Sequence, residues 1–286
     1  MEGVYLIAGL KFRLSYHFEK YLKDNIEKYQ ITSDSFDYEI KVTLNEDIKI
    51  PPYQTLTQKN PYVCYHQNKR YIYSKNQEEK VQSMMVHDLS YQKTEIFINP
   101  NLVKDPKETE YVLISLVFLE IAQRNLFLPI HASAIIYQDE VILISAPSQT
   151  GKSTHARFWK EVYPLVQFLN DDKPLIKYED NEFFVYGSPF SGKTSVNQNM
   201  KKKLKSIIFI EQGEKDQVEV MSVKEKIEEL MRNILRPEDA KLWDQVTSEL
   251  SQLINEIPIY KLKATKSIQA VHTLHQVLYP EVTHES

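Results

Sequence analysis

Polar and apolar residues alternate most regularly over 36–44. Phe36, Tyr38, Ile40, Val42 and Leu44 share one face, and Asp37, Glu39, Lys41 and Thr43 the other. That period of two predicts a half-buried strand. Residues 4–14 are mostly apolar and read as strand, and residues 62–66 and 70–74 flank Gln67-Asn68-Lys69 as a hairpin. A further strand over 94–99 stops at Pro100, and a helix is expected over 16–29. Residues 1–105 therefore predict a small, β-rich α+β domain whose tyrosines serve packing. Residues 107–125 are apolar nearly all round, the pattern of a helix buried between layers. They form the expected bridge into a second domain spanning 106–286.

In that second domain the pattern predicts strands over 130–137, 141–145, 166–169, 174–178, 182–187 and 206–211. Turns are expected at Gln138-Asp139 and at 179–181. Helices are expected over 152–162, 223–235, 238–254 and 267–278, with Pro237 suited to the first turn of the third of these. The fold class is α/β (α+β), with a mixed sheet and C-terminal helices in the second domain.

The chain has 286 residues, 42% of them hydrophobic, enough for two buried cores. A net charge of −4 and a pI near 6.1 argue against a general nucleic-acid binder. The local basic run Lys201, Lys202, Lys203 and Lys205 reads as a solvated helix face. The single cysteine, Cys64, allows no intrachain disulfide and lies in a strand-like run, so a buried structural thiol is expected. Lys11 and Arg13 interrupt the apolar start, and no apolar run approaches the ~20 residues of a membrane span. A cytoplasmic protein without membrane partners is the expectation. Glycine is scarce, and three of the six glycines are Gly151, Gly187 and Gly192, which points to that region as the working part.

The chemistry centres on the run Val141 to Thr154, where an apolar strand leads through Ser145-Ala146-Pro147-Ser148-Gln149-Thr150 to Gly151-Lys152-Ser153-Thr154 and a helix. This is the phosphate-loop pattern G-x-x-x-x-G-K-[ST], with Ala146 where the first glycine is usual. Free amides at a helix N-terminus face a polyanion, assisted by the helix dipole. Ser148, Gln149, Thr150, Gly151, Lys152, Ser153 and Thr154 are the candidate nucleotide-binding residues. Lys152 would reach the β and γ phosphates, and the Ser153 hydroxyl would join a Mg²⁺ shell. ATP or another nucleoside triphosphate, with Mg²⁺, is the implied cofactor set.

Asn170-Asp171-Asp172 ends the strand after that helix. One of the two carboxylates, Asp171 or Asp172, would hold the metal, and the other would take the proton of an attacking hydroxyl. His131 opens the strand before the loop strand. Pairing through the turn at 138–139 would bring it opposite Ala146, although a lone histidine can equally be structural. The loop Gly187 to Thr194 offers Ser191, Gly192 and Lys193 as substrate contacts. Arg157, Arg232 and Arg236 are candidates for a charge-stabilising arginine, with Arg236, beside Pro237, preferred.

Together, His131-Ala-Ser, the loop to Ser153 and Asn170-Asp-Asp resemble the HPr kinase/phosphorylase catalytic domain, over about residues 128–280. That family looks like phosphoenolpyruvate carboxykinase in fold. The resemblance implies that Lys152 and Ser153 bind phosphate and Mg²⁺, that Asp171 and Asp172 supply metal contact and base, and that His131 lies in the active site. Ala146 departs from the pattern, and no counterpart is found of the family's later segment that serves phosphorylase activity. With Gly187-Ser-Pro-Phe-Ser-Gly192-Lys193 added, the run is more similar to the HPr-kinase-like serine kinases of ribosomal peptide pathways, including lasso peptides. It implies a precursor peptide or small protein as acceptor. Two readings remain beside it, a small-molecule kinase acting on free serine and a non-catalytic nucleotide-binding regulator. HPr-type relatives form hexamers, which leaves homo-oligomerisation open.

Overall fold

The computed structural model describes the chain except Gln54, Lys59, Asn60, residues 147–150, Lys193, residues 238–239 and residues 281–286, and except the side chains of residues 55–58. It is a mixed α/β protein that divides into two units, Met1–Ile121 and Ala122–Ser286. Among the described residues no helix is long and apolar enough to cross a membrane.

The first unit is one mixed sheet. β1 (Glu2–Ile7) and β2 (Leu10–Ser15) form a hairpin whose turn places Ala8 and Gly9 at φ 50° and 82°. That pair of left-handed residues suits the tight turn between twisted strands. A short helix, α1 (Lys23–Ile26), precedes β3 (Gln30–Ile31), β4 (Tyr38–Leu44), β5 (Thr55–Gln58), β6 (Tyr62–His66), β7 (Lys69–Lys75), β8 (Val81–Asp88) and β9 (Lys93–Ile98). The strand order is β3-β1-β2-β4-β9-β8-β7-β6-β5. Ile40 and Val42 of β4 are buried, as alternation requires, and Cys64 is fully buried. The helix expected over 16–29 shrinks to α1 and one 3-10 turn, because Tyr21 takes a left-handed φ of 70° that a helix cannot contain.

The helix α2 (Pro106–Arg124) starts at Asp105, whose carboxylate accepts the N–H groups of Lys107 and Glu108. Most of it belongs to the first unit, not to the second as the sequence suggested. Phe118 packs on Phe12 with ring centroids 5.2 Å apart, and the Glu110 carboxylate accepts the N–H groups of His17 and Phe18. Val112 and Leu116, four residues apart, are exposed, so one stripe of the helix is not covered.

The second unit runs β10 (Leu128–Pro129), β11 (Ser133–Tyr137), β12 (Glu140–Ser145), α3 (Lys152–Val162), β13 (Gln167–Asn170), β14 (Leu175–Glu179) and β15 (Glu182–Tyr186). It continues with β16 (Lys201–Gln212), β17 (Gln217–Val220), α4 (Val223–Asn233), α5 (Ala240–Glu256), β18 (Ile259–Ala264) and α6 (Gln269–Leu278). The sheet order is β10-β14-β15-β16-β12-β11-β13, with β18 pairing β16 and β17. β12 runs parallel to β16, and β16 parallel to β18.

Both faces of this sheet are covered, and β12 shows why its sequence is unbroken in apolar residues. Val141 and Leu143 enter one core with Leu230 of α4 and Val246, Leu250 and Leu253 of α5. Ile142 and Ile144 enter the other with Ala156 and Trp159 of α3 and Ala270, Val271 and Leu274 of α6. Each such fully buried branched side chain contributes about 1.5–3 kcal/mol. α4 begins with a capping box in which the Ser222 hydroxyl accepts the Glu225 N–H and the Glu225 carboxylate accepts the Ser222 N–H.

The lysine run lies on β16, not on a helix. Lys201 pairs with Glu179, Lys202 with Asp139, Lys203 with Glu182 and Lys205 with Glu140. Acidic residues of β12, β14 and β15 and of the turn before β12 meet these lysines.

Candidate functional site

Strand direction brings the candidate residues to one edge. β11 is antiparallel to both β12 and β13, so the end of β12, the end of β13 and the start of β11 coincide. Ser133 pairs with Ile144 and Ala134 with Asn170. The Ser145 hydroxyl donates to the His131 carbonyl at 2.8 Å. His131 therefore lies opposite the exit of the loop strand, as expected from a turn at 138–139.

The strand expected over 130–137 is broken at His131. The backbone here is shared between two other segments: Ile130 and Ala132 N–H donate to Pro174 O and Asp172 O, and His131 N–H between them donates to Asn233 O. At this break the imidazole stands beside Asp172.

α3 begins at Gly151, whose φ of 104° is left-handed. An added Cβ there would meet nothing within 4 Å, so the glycine is required by its backbone angle. Ala146 is buried and is not among the left-handed residues, which explains why alanine serves at that position. Ser153 is partly buried and Thr154 exposed in the first turn of α3. Ser148, Gln149, Thr150 and Lys193 lie outside the described residues.

The Lys152 side chain is only 12% exposed, with Nζ 3.7 Å from Asp172 Oδ1 and 3.3 Å from the Asp171 carbonyl. Burial holds its pKa below the ordinary lysine value, and the charges of Asp172 and Asp171 offset this only in part. An ammonium so placed is under-compensated and suited to a polyanion.

The two aspartates separate as adjacent residues should. Asp171 is buried, and its Oδ1 accepts the Ser133 hydroxyl at 2.6 Å. Asp172 Oδ1 lies 2.7 Å from His131 Nδ1 and 3.5 Å from Lys173 Nζ. His131 Nδ1 is also 3.0 Å from Lys173 Nζ. The nitrogen cannot both donate to the carboxylate and accept from the ammonium. The shorter contact, to a group that only accepts, places the hydrogen on Nδ1. Burial alone would raise the Asp172 pKa, but the hydrogen bond from His131 and the charges of Lys173 and Lys152 outweigh it and hold the pKa below the usual carboxylate range.

The turn carrying both carboxylates is clamped from beneath. Asn170 is fully buried, and its Oδ1 accepts the N–H groups of Asp172 and Lys173 at 2.9 and 2.8 Å. Its amide nitrogen donates to Ser188 O at 2.8 Å, and the Ser188 hydroxyl donates to Lys173 O at 2.7 Å. This ties the turn to the loop after β15. Gly192 of that loop, at φ 68°, stands beside Asp172, where an added Cβ would meet Oδ2 at 3.5 Å. Gly187 admits no side chain, because a Cβ would lie 2.0 Å from Gln198 O. Ser191 is buried and exchanges hydrogen bonds with Thr194, so its hydroxyl shapes the loop.

The structure thus gathers His131, Lys152, Asp171, Asp172 and Gly192. Among the described residues, none of the three arginines shares a hydrogen bond or ion pair with this group. Arg157, Arg232 and Arg236 are all exposed, Arg232 pairs with Glu229 at 2.7 Å, and Arg236 follows the 233–235 segment that pairs with Pro129 to His131. Sequence reasoning missed Lys173, Asn170 and Ser188. Lys173 was visible only as the residue after the aspartates, and nothing in the pattern linked Asn170 to Ser188.

The residues fit a nucleotide-borne Mg²⁺. Ser153 and Asp171 offer hard oxygens, and Mg²⁺ is usually held by one or two carboxylates with phosphate and water completing the octahedron. Among the described residues no group of three or more His, Cys, Asp or Glu forms a preformed cage.

No family model matches the chain, and no curated protein matches it. Among solved structures, the HPr(Ser) kinase/phosphatase from Coxiella burnetii matches over 45% of this chain and 92% of that one, at 13% identity and a TM-score of 0.25. An overlap that loose does not establish a shared fold, and the chemistry rests on the site's own geometry.

Proposed function

We propose that this protein is an ATP- and Mg²⁺-dependent phosphotransferase of the HPr-kinase-like kind, moving the γ-phosphoryl group to a serine hydroxyl of a precursor peptide. One observation carries the reading: a lysine at the start of α3, with only 12% of its side chain exposed, shares a carboxylate oxygen with a histidine, beside a second, separately held carboxylate.

The nucleotide phosphates take the N-terminus of α3, where free amides and the helix dipole favour negative charge. Lys152 leaves the shared carboxylate and turns to the phosphates. Ser153 and Asp171 are the residues that would hold Mg²⁺, whose charge would screen the phosphoryl oxygens. Asp172 accepts the acceptor hydroxyl's proton. The hydroxyl oxygen forms a bond to phosphorus while the bridging P–O bond breaks, its electron pair leaving with ADP. His131, donating from Nδ1, keeps Oδ1 in place, and Oδ2 remains on the Gly192 side to receive the proton. The sheet of the first unit, with β3 and β5 as its edges, is the candidate platform for an extended peptide.

The test is phosphate transfer from γ-labelled ATP to seryl peptides and to free serine. Asp172→Asn should lower transfer at least about 10²-fold while ATP binding stays within a few-fold. Retained transfer removes Asp172 from the base role. Preference for free serine over every peptide replaces the peptide acceptor with a small molecule. ATP binding without transfer to any acceptor leaves a regulator.

A further inference from the structure

We propose that Lys173 is the second cation of the transfer site, set across Asp172 from Lys152 to take up negative charge on the phosphoryl group as it moves. This rests on reading the helix start at Lys152 as the phosphate site.

Lys173 Nζ lies 3.5 Å from Asp172 Oδ1, and Lys152 Nζ lies 3.7 Å from the same oxygen. One carboxylate oxygen therefore serves two ammonium groups as well as the imidazole. When Lys152 turns to the nucleotide, Lys173 stays beside the base. The acceptor oxygen must come within about 2.6–3.2 Å of the base to surrender its proton. The phosphorus it attacks then stands about 3–3.5 Å further on. An ammonium 3.5 Å from that carboxylate therefore stands on the same side of the reaction as the moving phosphoryl group.

The position is built, not incidental. The Lys173 N–H is held by Asn170 Oδ1 and its carbonyl by the Ser188 hydroxyl, so base and cation ride on one clamped turn. The side chain is 31% exposed, so it opens towards solvent where an acceptor must enter, and it does not fill the core. The arginines offered for this charge by the sequence all lie exposed.

The experiment uses the full chain, as wild type, Lys173→Met and Lys173→Arg, and two ligands with Mg²⁺. The imido analogue of ATP reports the ground state, and ADP with aluminium fluoride mimics the planar phosphoryl group. Lys173→Met should bind the imido analogue within about threefold of wild type. It should bind the planar mimic about 10²–10³-fold more weakly, the loss typical of a missing transition-state donor. Lys173→Arg should recover most of that loss. Melting temperatures confirm that each variant is folded. Equal loss on both ligands would mean that Lys173 only positions Asp172 or the loop, and no loss on either would mean a spectator. Each overturns the proposal, as does a wild type that takes the imido analogue but not the planar mimic. A wild type that binds neither ligand overturns the phosphate-site reading itself.

Discussion

Replacing Lys152 with methionine should separate binding from stability. The ammonium is nearly buried, and its depressed pKa means that the folded state disfavours the charged form. The sign follows directly: the charge costs stability at every pH below the folded pKa, neutral pH included, and the cost disappears only as pH rises through the folded and unfolded values. Methionine fills a similar volume without the charge, while Asp172 keeps His131 at 2.7 Å and Lys173 at 3.5 Å. The ligand-free variant should therefore melt at the wild-type temperature or above. Binding should move the other way. A charge-assisted hydrogen bond contributes about 1.5–3 kcal/mol, or roughly 10- to 150-fold in Kd. At ATP and Mg²⁺ a hundred times the wild-type Kd, mass action stabilises wild type by about 2.7 kcal/mol. A variant binding a hundredfold more weakly gains only about 0.4 kcal/mol. For a unit of this size these correspond to shifts of about 5–10 °C and 1–2 °C. Differential scanning fluorimetry with and without nucleotide reads both. A variant with the full wild-type nucleotide shift refutes the phosphate role of Lys152. One that loses several degrees without ligand refutes the electrostatic reasoning.

Asn170→Ala strips acceptors from two backbone N–H groups and a donor from Ser188 O, and at about 1–3 kcal/mol per buried orphan should cost roughly 3 kcal/mol or more. A melting-temperature drop of about 6–12 °C is expected, and one under about 2 °C would show that water replaces the amide. Glu249 has its pKa raised to about 7 by burial, against a partial offset from Lys177. Its folded pKa exceeds the unfolded value, so stability falls as pH rises from about 4.5 to about 7 and is flat above. Glu249→Gln should thus be nearly neutral at pH 5 and, after discounting for partial exposure, stabilise by about 1–2 kcal/mol at pH 8. Thermal melts at the two pH values that show the gain at pH 5 instead would contradict that sign.

Much of the second unit was legible because its signals are local. The helix 152–162 coincides with α3, and the turn at 138–139 sets the Ser133–Ile144 register that carries His131 to the loop. What escaped depends on partners remote in sequence. β8 lacks alternation because Met84, Met85, Val86 and His87 are all buried, as befits an interior strand of its sheet. β18, with Lys261 and Lys263 inside it, reads as strand only once β16 lies beside it. The break at His131 follows from hydrogen bonds to residues 172, 174 and 233, which no local pattern encodes. The Lys173 ammonium meets the Asp172 carboxylate, and the Asn170 amide meets Ser188, only in the folded chain, so their part emerges only from distances.

The four lysines of β16 have a consequence for how the chain finds its arrangement. Singly, exposed ion pairs add little to stability. Together they act as a key cut to one alignment. Sliding β16 by a single residue would swing Leu204 outwards and drive lysines towards the packed interior, while stranding Glu179, Glu182, Glu140 and Asp139. The register of the strand beside the loop strand is thereby specified by charges at the opposite end of β12 from the phosphate loop.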